Sequence, residues 1–141
     1  MKKILIFTLL CGAVFAFAGK ITVVLPNNAS VTEKTAAQEL QVLLKKVSQI
    51  SLVKEGTKTS GKVIYVGNTA FAKKNNAVRK FDTEEWLIQA VDGNTLILNG
   101  GRRGVVYASY EFLERFADVM FLDQYTTKGP DKEPVWTKTA N

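Results

Sequence analysis

The stretch ILNGGRRGVVYASYEFLERF, residues 97–116, decides the fold of this chain. It opens on the end of a β-rich run and closes on Val105, Ser109, Phe112, Leu113 and Phe116 at helical intervals, so the chain passes from strand to helix across Gly100-Gly101-Arg102-Arg103-Gly104. Such a turn has two physical readings. Backbone N–H groups at a helix start attract anions, and Arg102 and Arg103 beside Gly101 add positive charge, which makes the turn a candidate contact for an anion or a sugar. On the other reading Gly100 and Gly101 supply positive φ, and Gly104 lets the helix approach the sheet closely. The spacing is Gly-Gly-x-x-Gly and lacks both the dinucleotide fingerprint and the Gly-Lys-Ser/Thr ending of a phosphate loop, which favours geometry.

Upstream of the turn, residues 86–91 and 95–99 flank Asp92-Gly93-Asn94, a strong short-range signal for an antiparallel hairpin. Residues 63–66, Val-Ile-Tyr-Val, form a short apolar run of the kind found in a strand covered on both faces. Residues 20–25 make a first strand ended by Pro26-Asn27-Asn28. Between these two lies a helix: Ser30 and Glu33 have capping-box spacing, and Ala36, Leu40, Leu43, Leu44 and Val47 recur on one face. The resulting strand–helix–strand unit predicts parallel strands in one sheet. Residues 69–81 are basic and less regular, with a short helix over 70–74, and residues 119–122 suggest a last short strand or edge.

The order β-α-β-β-β-α-(β) predicts an α+β fold, an α/β two-layer sandwich: a mixed sheet of four to five strands with two main helices lying side by side on it. Residues 19–125 are expected to form this domain, and 126–141 a polar tail or linker. Within that tail Trp136 suggests docking, either on this domain or on something that follows it.

Lys2-Lys3, an apolar run over residues 4–15 and Ala16-Phe17-Ala18 have the layout of a cleavable secretory signal, with cleavage expected after Ala18 and a secreted or periplasmic product. Cys11 falls inside that leader, with Leu10 where lipid attachment would want a small residue. The mature chain of about 120 residues, enough for one domain, then has no cysteine, and the whole sequence has no histidine. Disulfides, thiol catalysis, cysteine metal sites and a histidine-based triad are thereby excluded from it. A formal charge of +6 over 141 residues, two of the lysines belonging to the leader, identifies no partner. Hydrophobic content of 46% argues for a folded globule.

Glycoside hydrolysis ordinarily uses two carboxylates, and Glu111 with Glu114 is the pair at helical spacing. Glu111 also stands four residues before Arg115, the favourable ion-pair spacing, and Glu84-Glu85 marks a strand entrance where solvation is expected. Asp118 and Asp123 belong to no Asp-x-Asp-x-Asp-Gly loop, so we expect no metal and no cofactor. Lys73-Lys74, Arg79-Lys80 and Arg102-Arg103 lie near Phe71 and Phe81, but the charge surplus and the absence of a recognition signature speak against nucleic acid. Nothing beyond the leader is apolar for long enough to cross a membrane, and no membrane partner is expected after cleavage. Trp86, Tyr107 and Tyr110 are the aromatics able to stack on a sugar ring, with packing the competing role.

Three segments, TAAQELQVLLKKVSQI, KVIYVGNT and LILNGGRRGVVYASYEFLERFADVMFL, come in the order and spacing of a known accessory domain. The chain resembles the N-terminal domain of glycoside hydrolase family 67 α-glucuronidases and the related second domain of β-N-acetylhexosaminidases. The most specific element is a strand, a Gly-x-x-x-Gly turn, Val-Tyr, a small pair and an aromatic-Leu-Glu helix, reproduced over residues 98–114, and the likeness spans nearly all of residues 20–122. It implies a small α/β sandwich that precedes a (β/α)8 barrel of about 250 residues, with the catalytic carboxylates in the barrel. None of those carboxylates has a counterpart before Asn141. The implied function is a non-catalytic exported accessory domain of a polysaccharide-degrading hydrolase, its partners a catalytic barrel or the polysaccharide. The competing functions are a stand-alone carbohydrate- or anion-binding module using the 100–104 turn, and a small hydrolase in its own right.

Overall fold

A computed structural model describes residues 19–139 of the chain, and the expected leader lies outside the described residues. The element order is β1 (Gly19–Leu25), α1 (Val31–Leu44), β2 (Ser48–Lys54), β3 (Lys62–Val66), α2 (Ala70–Lys74), β4 (Trp86–Asp92), β5 (Thr95–Gly100), α3 (Gly104–Ala117), β6 (Met120–Phe121) and β7 (Thr127–Lys128). Five strands form one mixed sheet in the order β2-β1-β3-β5-β4, in which only β4 runs antiparallel. The fold is therefore an α+β sandwich.

Period-two alternation divides the sheet's side chains between two faces. Ile21 and Val23 of β1, Ile64 and Val66 of β3, and Leu96 and Leu98 of β5 meet the apolar stripes of α1 and α3, which lie together on that side. Leu40, Leu44, Phe112 and Leu113 are fully buried there, each contributing about 1.5–3 kcal/mol. The opposite face carries a smaller cluster, in which Ile97, Tyr65, Leu87 and Val91 are covered by Phe71 and Ala72 of α2 and by Ala77 and Val78. Over β1 the same face is crossed by the β2–β3 connection, where the Thr22 hydroxyl donates to the Ser60 carbonyl at 3.0 Å.

The helix starts and stops follow local chemistry. At α1 both halves of the capping box form: Glu33 N–H donates to Ser30 Oγ at 3.2 Å and Ser30 N–H to Glu33 Oε2 at 2.7 Å. The α1 helix ends at Leu44, so Val47, expected on its apolar stripe, lies half-buried in the turn beyond it. Asp118, at φ 52°, ends α3 in the left-handed conformation.

Two features depart from the sequence expectations. The strand that follows α1 is β2, which no periodicity in the sequence predicts, and it pairs in parallel with β1 on the side opposite β3. Ser48, Gln49, Ser51 and Lys54 make it too polar to stand out, as befits an edge. The short strand at residues 120–121 pairs with β7 in a separate two-stranded sheet and does not join the main one. Residues 129–139 pack on the domain, the first of the two dockings that Trp136 suggests. Trp136 is 3% exposed, meets Phe112 edge-to-face at 5.8 Å and donates its indole N–H to the Asp92 carbonyl at 3.0 Å. Lys62 lies over its ring at 4.9 Å, and Thr139 N–H donates to the Ala90 carbonyl at 2.9 Å.

Trp136→Ala is therefore expected to cost about 3–5 kcal/mol, as for a large core truncation, while Leu40→Asp and Phe112→Asp abolish folding. Urea denaturation followed by circular dichroism checks both; a Trp136→Ala transition superimposable on that of the parent would show the tail to be unneeded.

Candidate functional site

The 100–104 turn is held by main chain. The Gly101 N–H donates to the Glu85 carbonyl at 2.8 Å, and the N–H groups of Arg103 and Gly104 donate to the Thr83 carbonyl at 2.8 and 3.0 Å. The next amide, Val105 N–H, donates to Gly101 O at 3.2 Å. The backbone of residues 82–85 thus caps α3, which has no side-chain cap at Arg103. The contact demands glycine. A Cβ on Gly101 would run into the Asp82 carbonyl, one on Gly104 into the Glu85 carbonyl, and one on Gly100 would stand 2.5 Å from the same Glu85 oxygen. Positive φ, expected at Gly100 and Gly101, occurs at neither, so the reason for both is close approach. Arg102 and Arg103 are exposed, and Arg103 pairs with Glu84 at 2.5 Å. The amides of Gly101, Arg103, Gly104 and Val105 that would cradle an anion are bonded within the chain, which leaves the Arg102 amide and the two guanidinium groups for that role.

The acidic candidates diverge. Glu111 binds Arg115 one turn along α3, and Glu85 accepts from Arg79 at 2.5 Å. Glu114 instead lines a cavity of about 510 Å³ with Glu39, Tyr110, Phe121 and Asp123. Tyr110 stands edge-on to Phe121 at 5.1 Å, and burial, then the nearby Glu39 charge, raise its phenol above the ordinary value of 10.0. Asp123 accepts from the N–H groups of Tyr125 and Thr126, and those bonds lower its pKa. Asp118 pairs with Lys132 at 2.7 Å, and among the described residues no three Asp, Glu, His or Cys group to hold a metal ion. The aromatics are also scattered: Phe71 stacks on Tyr65 at 4.1 Å, Arg79 covers Phe81, and Arg115 lies over Trp86.

A different place collects polar groups that the sequence reading treated only as turns. β1 leads into α1 on one face of the sheet and β3 into α2 on the other, so the loops at their carboxyl ends part and leave a cleft. It has a volume of about 330 Å³ and is lined by Pro26, Asn27, Asn28, Glu33, Glu55, Asn68 and Lys73. A second hollow of about 440 Å³, with Tyr65 and Phe71 in its wall, adjoins it through Asn27 and Glu55. Crevices at such switch points are where open α/β sheets bind ligands.

The cleft is rigidly built. Glu33, 7% exposed, accepts from Ser30 N–H at 2.7 Å and from Asn68 N–H at 2.9 Å, tying the β1–α1 and β3–α2 turns together. Gly67, at φ 81°, permits this, since a Cβ there would collide with the Glu33 carboxylate. Glu55 accepts from Ala70 N–H at 2.7 Å and Asn27 N–H at 3.4 Å. Buried Asn99 donates to Asn68 Oδ1 at 3.1 Å and to the Ala77 carbonyl at 2.9 Å. The strand of the opening stretch thereby orients a cleft side chain, and its asparagine contributes to this site where its arginines do not. The one sequence sign available was a repeated pattern: both strand ends run into Asn and then a Ser or Thr helix cap, Asn27-Asn28-Ala29-Ser30 and Asn68-Thr69.

Comparison of the chain with protein-family models and with curated proteins finds no match to either.

Two outcomes follow from this geometry. Gly104→Ala is expected to destabilise the fold by about 1–3 kcal/mol through overpacking, and Arg102→Ala to stay within about 0.5 kcal/mol of the parent; equal unfolding midpoints for the two variants would contradict the close-contact account. Because the Tyr110 pKa is raised by folding, its contribution to stability is complete below about pH 10 and lost as pH rises through the folded value. Denaturation series at alkaline pH should therefore show a shallower loss of stability in Tyr110→Phe than in the parent, and parallel slopes would count against it.

Proposed function

We propose that this chain is an exported, non-catalytic accessory module of polysaccharide breakdown, of the kind that precedes the barrel in family 67 α-glucuronidases. The observation that carries the proposal is the strand–turn–helix of residues 95–117, in which the Gly-x-x-x-Gly element of the resemblance acts as a steric joint. The disposition of the acids supports it further. Glu111, Glu84 and Glu85 stand in ion pairs with arginines, and Glu33 and Glu55 each accept from backbone amides, so each of these carboxylates already has a partner within the chain. The mature chain contributes a rigid scaffold and a surface to such an assembly, and the bond cleavage belongs to a barrel.

The purified mature chain is expected to release no product from glucuronoxylan oligosaccharides or aryl glycosides. Mixed with a family 67 barrel prepared without its own N-terminal domain, it should raise that barrel's thermal midpoint. Turnover that persists through repurification and disappears in Glu114→Gln would sink the proposal, as would a barrel midpoint indifferent to the chain.

A further inference from the structure

We propose that the cleft at the carboxyl ends of β1 and β3 is a binding site for a neutral saccharide, one or two pyranose rings in length. The inference rests on the accessory-module reading for its setting, but its evidence is the chemistry of the cleft.

Topology supplies the opening. β2 lies to one side of β1, and β5 to the far side of β3, so the chain departs in opposite directions from the two strand ends, and the β2–β3 connection reaches the opening through Glu55. The cleft and the adjoining hollow, about 330 and 440 Å³, fall in the size range of small-molecule sites, about 300–1,000 Å³.

The lining selects the class of ligand. Asn27 and Asn28 hold their side-chain amides outside any internal hydrogen bond of the described residues, and each amide can both donate and accept. The Asn99 bond fixes Asn68 Oδ1, so Asn68 Nδ2 remains as a donor toward the cleft. Lys73 adds an ammonium, and Glu55 has lone pairs beyond its two backbone bonds. Donors and acceptors are thus interleaved, which suits hydroxyl groups, since each hydroxyl also does both. Two carboxylates, Glu33 and Glu55, face one ammonium, Lys73, so the balance opposes phosphate or a uronate as the principal contact. Next to these groups the stacked Tyr65–Phe71 pair, partly exposed, offers an apolar wall for the C–H face of a pyranose ring. The hydrogen bonds of Asn99 and Glu33 hold the lining in place before any ligand arrives, which lowers the cost of binding.

The test is a ¹⁵N-labelled mature chain titrated with xylotriose, cellotriose, mannotriose, chitotriose and maltotriose, with inorganic phosphate as the anionic control. Saturable shifts are expected with at least one sugar at the amides of Asn27, Asn28, Asn68 and Ala70. Asn68→Ala and the double variant Asn27→Ala/Asn28→Ala should each weaken that binding about tenfold, while Arg102→Ala/Arg103→Ala leaves it unchanged. The same spectra report whether each variant is folded. The inference is overturned by flat titrations with all five sugars, by shifts centred on the 100–104 turn or the Tyr110 cavity, or by phosphate competing for the cleft. Flat titrations together with a stabilised barrel would remove this site and leave the accessory role intact; saturable binding with an indifferent barrel would do the reverse.

Discussion

Three missing β-carbons govern this structure. Gly100, Gly101 and Gly104 let the backbone of residues 82–85 lie directly on the strand-to-helix turn, and two of its carbonyls, Thr83 O and Glu85 O, take up the amides there. Because residue 85 leads straight into β4, the contact sets where the edge strand enters the sheet and where α3 leaves it. The fixed start of α3 in turn brings its apolar stripe, with Val105, Phe112 and Leu113, over β4 and β5, and Phe112 is the surface on which Trp136 closes the core. A side chain at any of the three positions would part the strand entrance from the helix start, and the packing below would have to follow.

Glu33 plays a comparable role at the other side of the sheet. A buried carboxylate is costly unless its oxygens find donors, and here two backbone amides from turns almost forty residues apart supply them. Glu33 completes the capping box of α1 and also joins that helix start to the end of β3. The cleft above it is consequently framed by fixed backbone, with Asn99 from β5 securing the third wall.

Much of this fold was legible locally. Ser30 and Glu33 announced α1, Asp92-Gly93-Asn94 announced the β4–β5 hairpin, and the stripe from Val105 to Phe112 marked α3. Each rests on neighbours within a turn or two of one another. β2 was illegible because its seven residues are half polar and owe their conformation to pairing with β1, a non-local interaction that leaves no periodic trace. Gly104 reads from the sequence as a close approach and is one, whereas Gly100 and Gly101 read as positive-φ positions and are close approaches too: nothing in the sequence tells that residues 82–85 will press on them. The cleft was hidden for a similar reason, since Asn27, Glu55 and Asn68 belong to three separate loops that meet only once β1 and β3 lie parallel. Trp136 signalled an anchor, and the surface it anchors to emerged only with the packed hairpin and α3.

The docked segment around Trp136 also gives the molecule a direction. Its indole caps the Asp92 carbonyl at the hairpin bend, Lys62 at the start of β3 shares its ring, and Glu133 crowds Gly19 at the start of β1. All of these mark the amino-terminal rim of the parallel strands, the pole opposite the asparagine cleft. Anything joined to the domain through Gly19 or through residues 133–139 would grip it by its base, like a handle, and leave the cleft pointing outward into solvent.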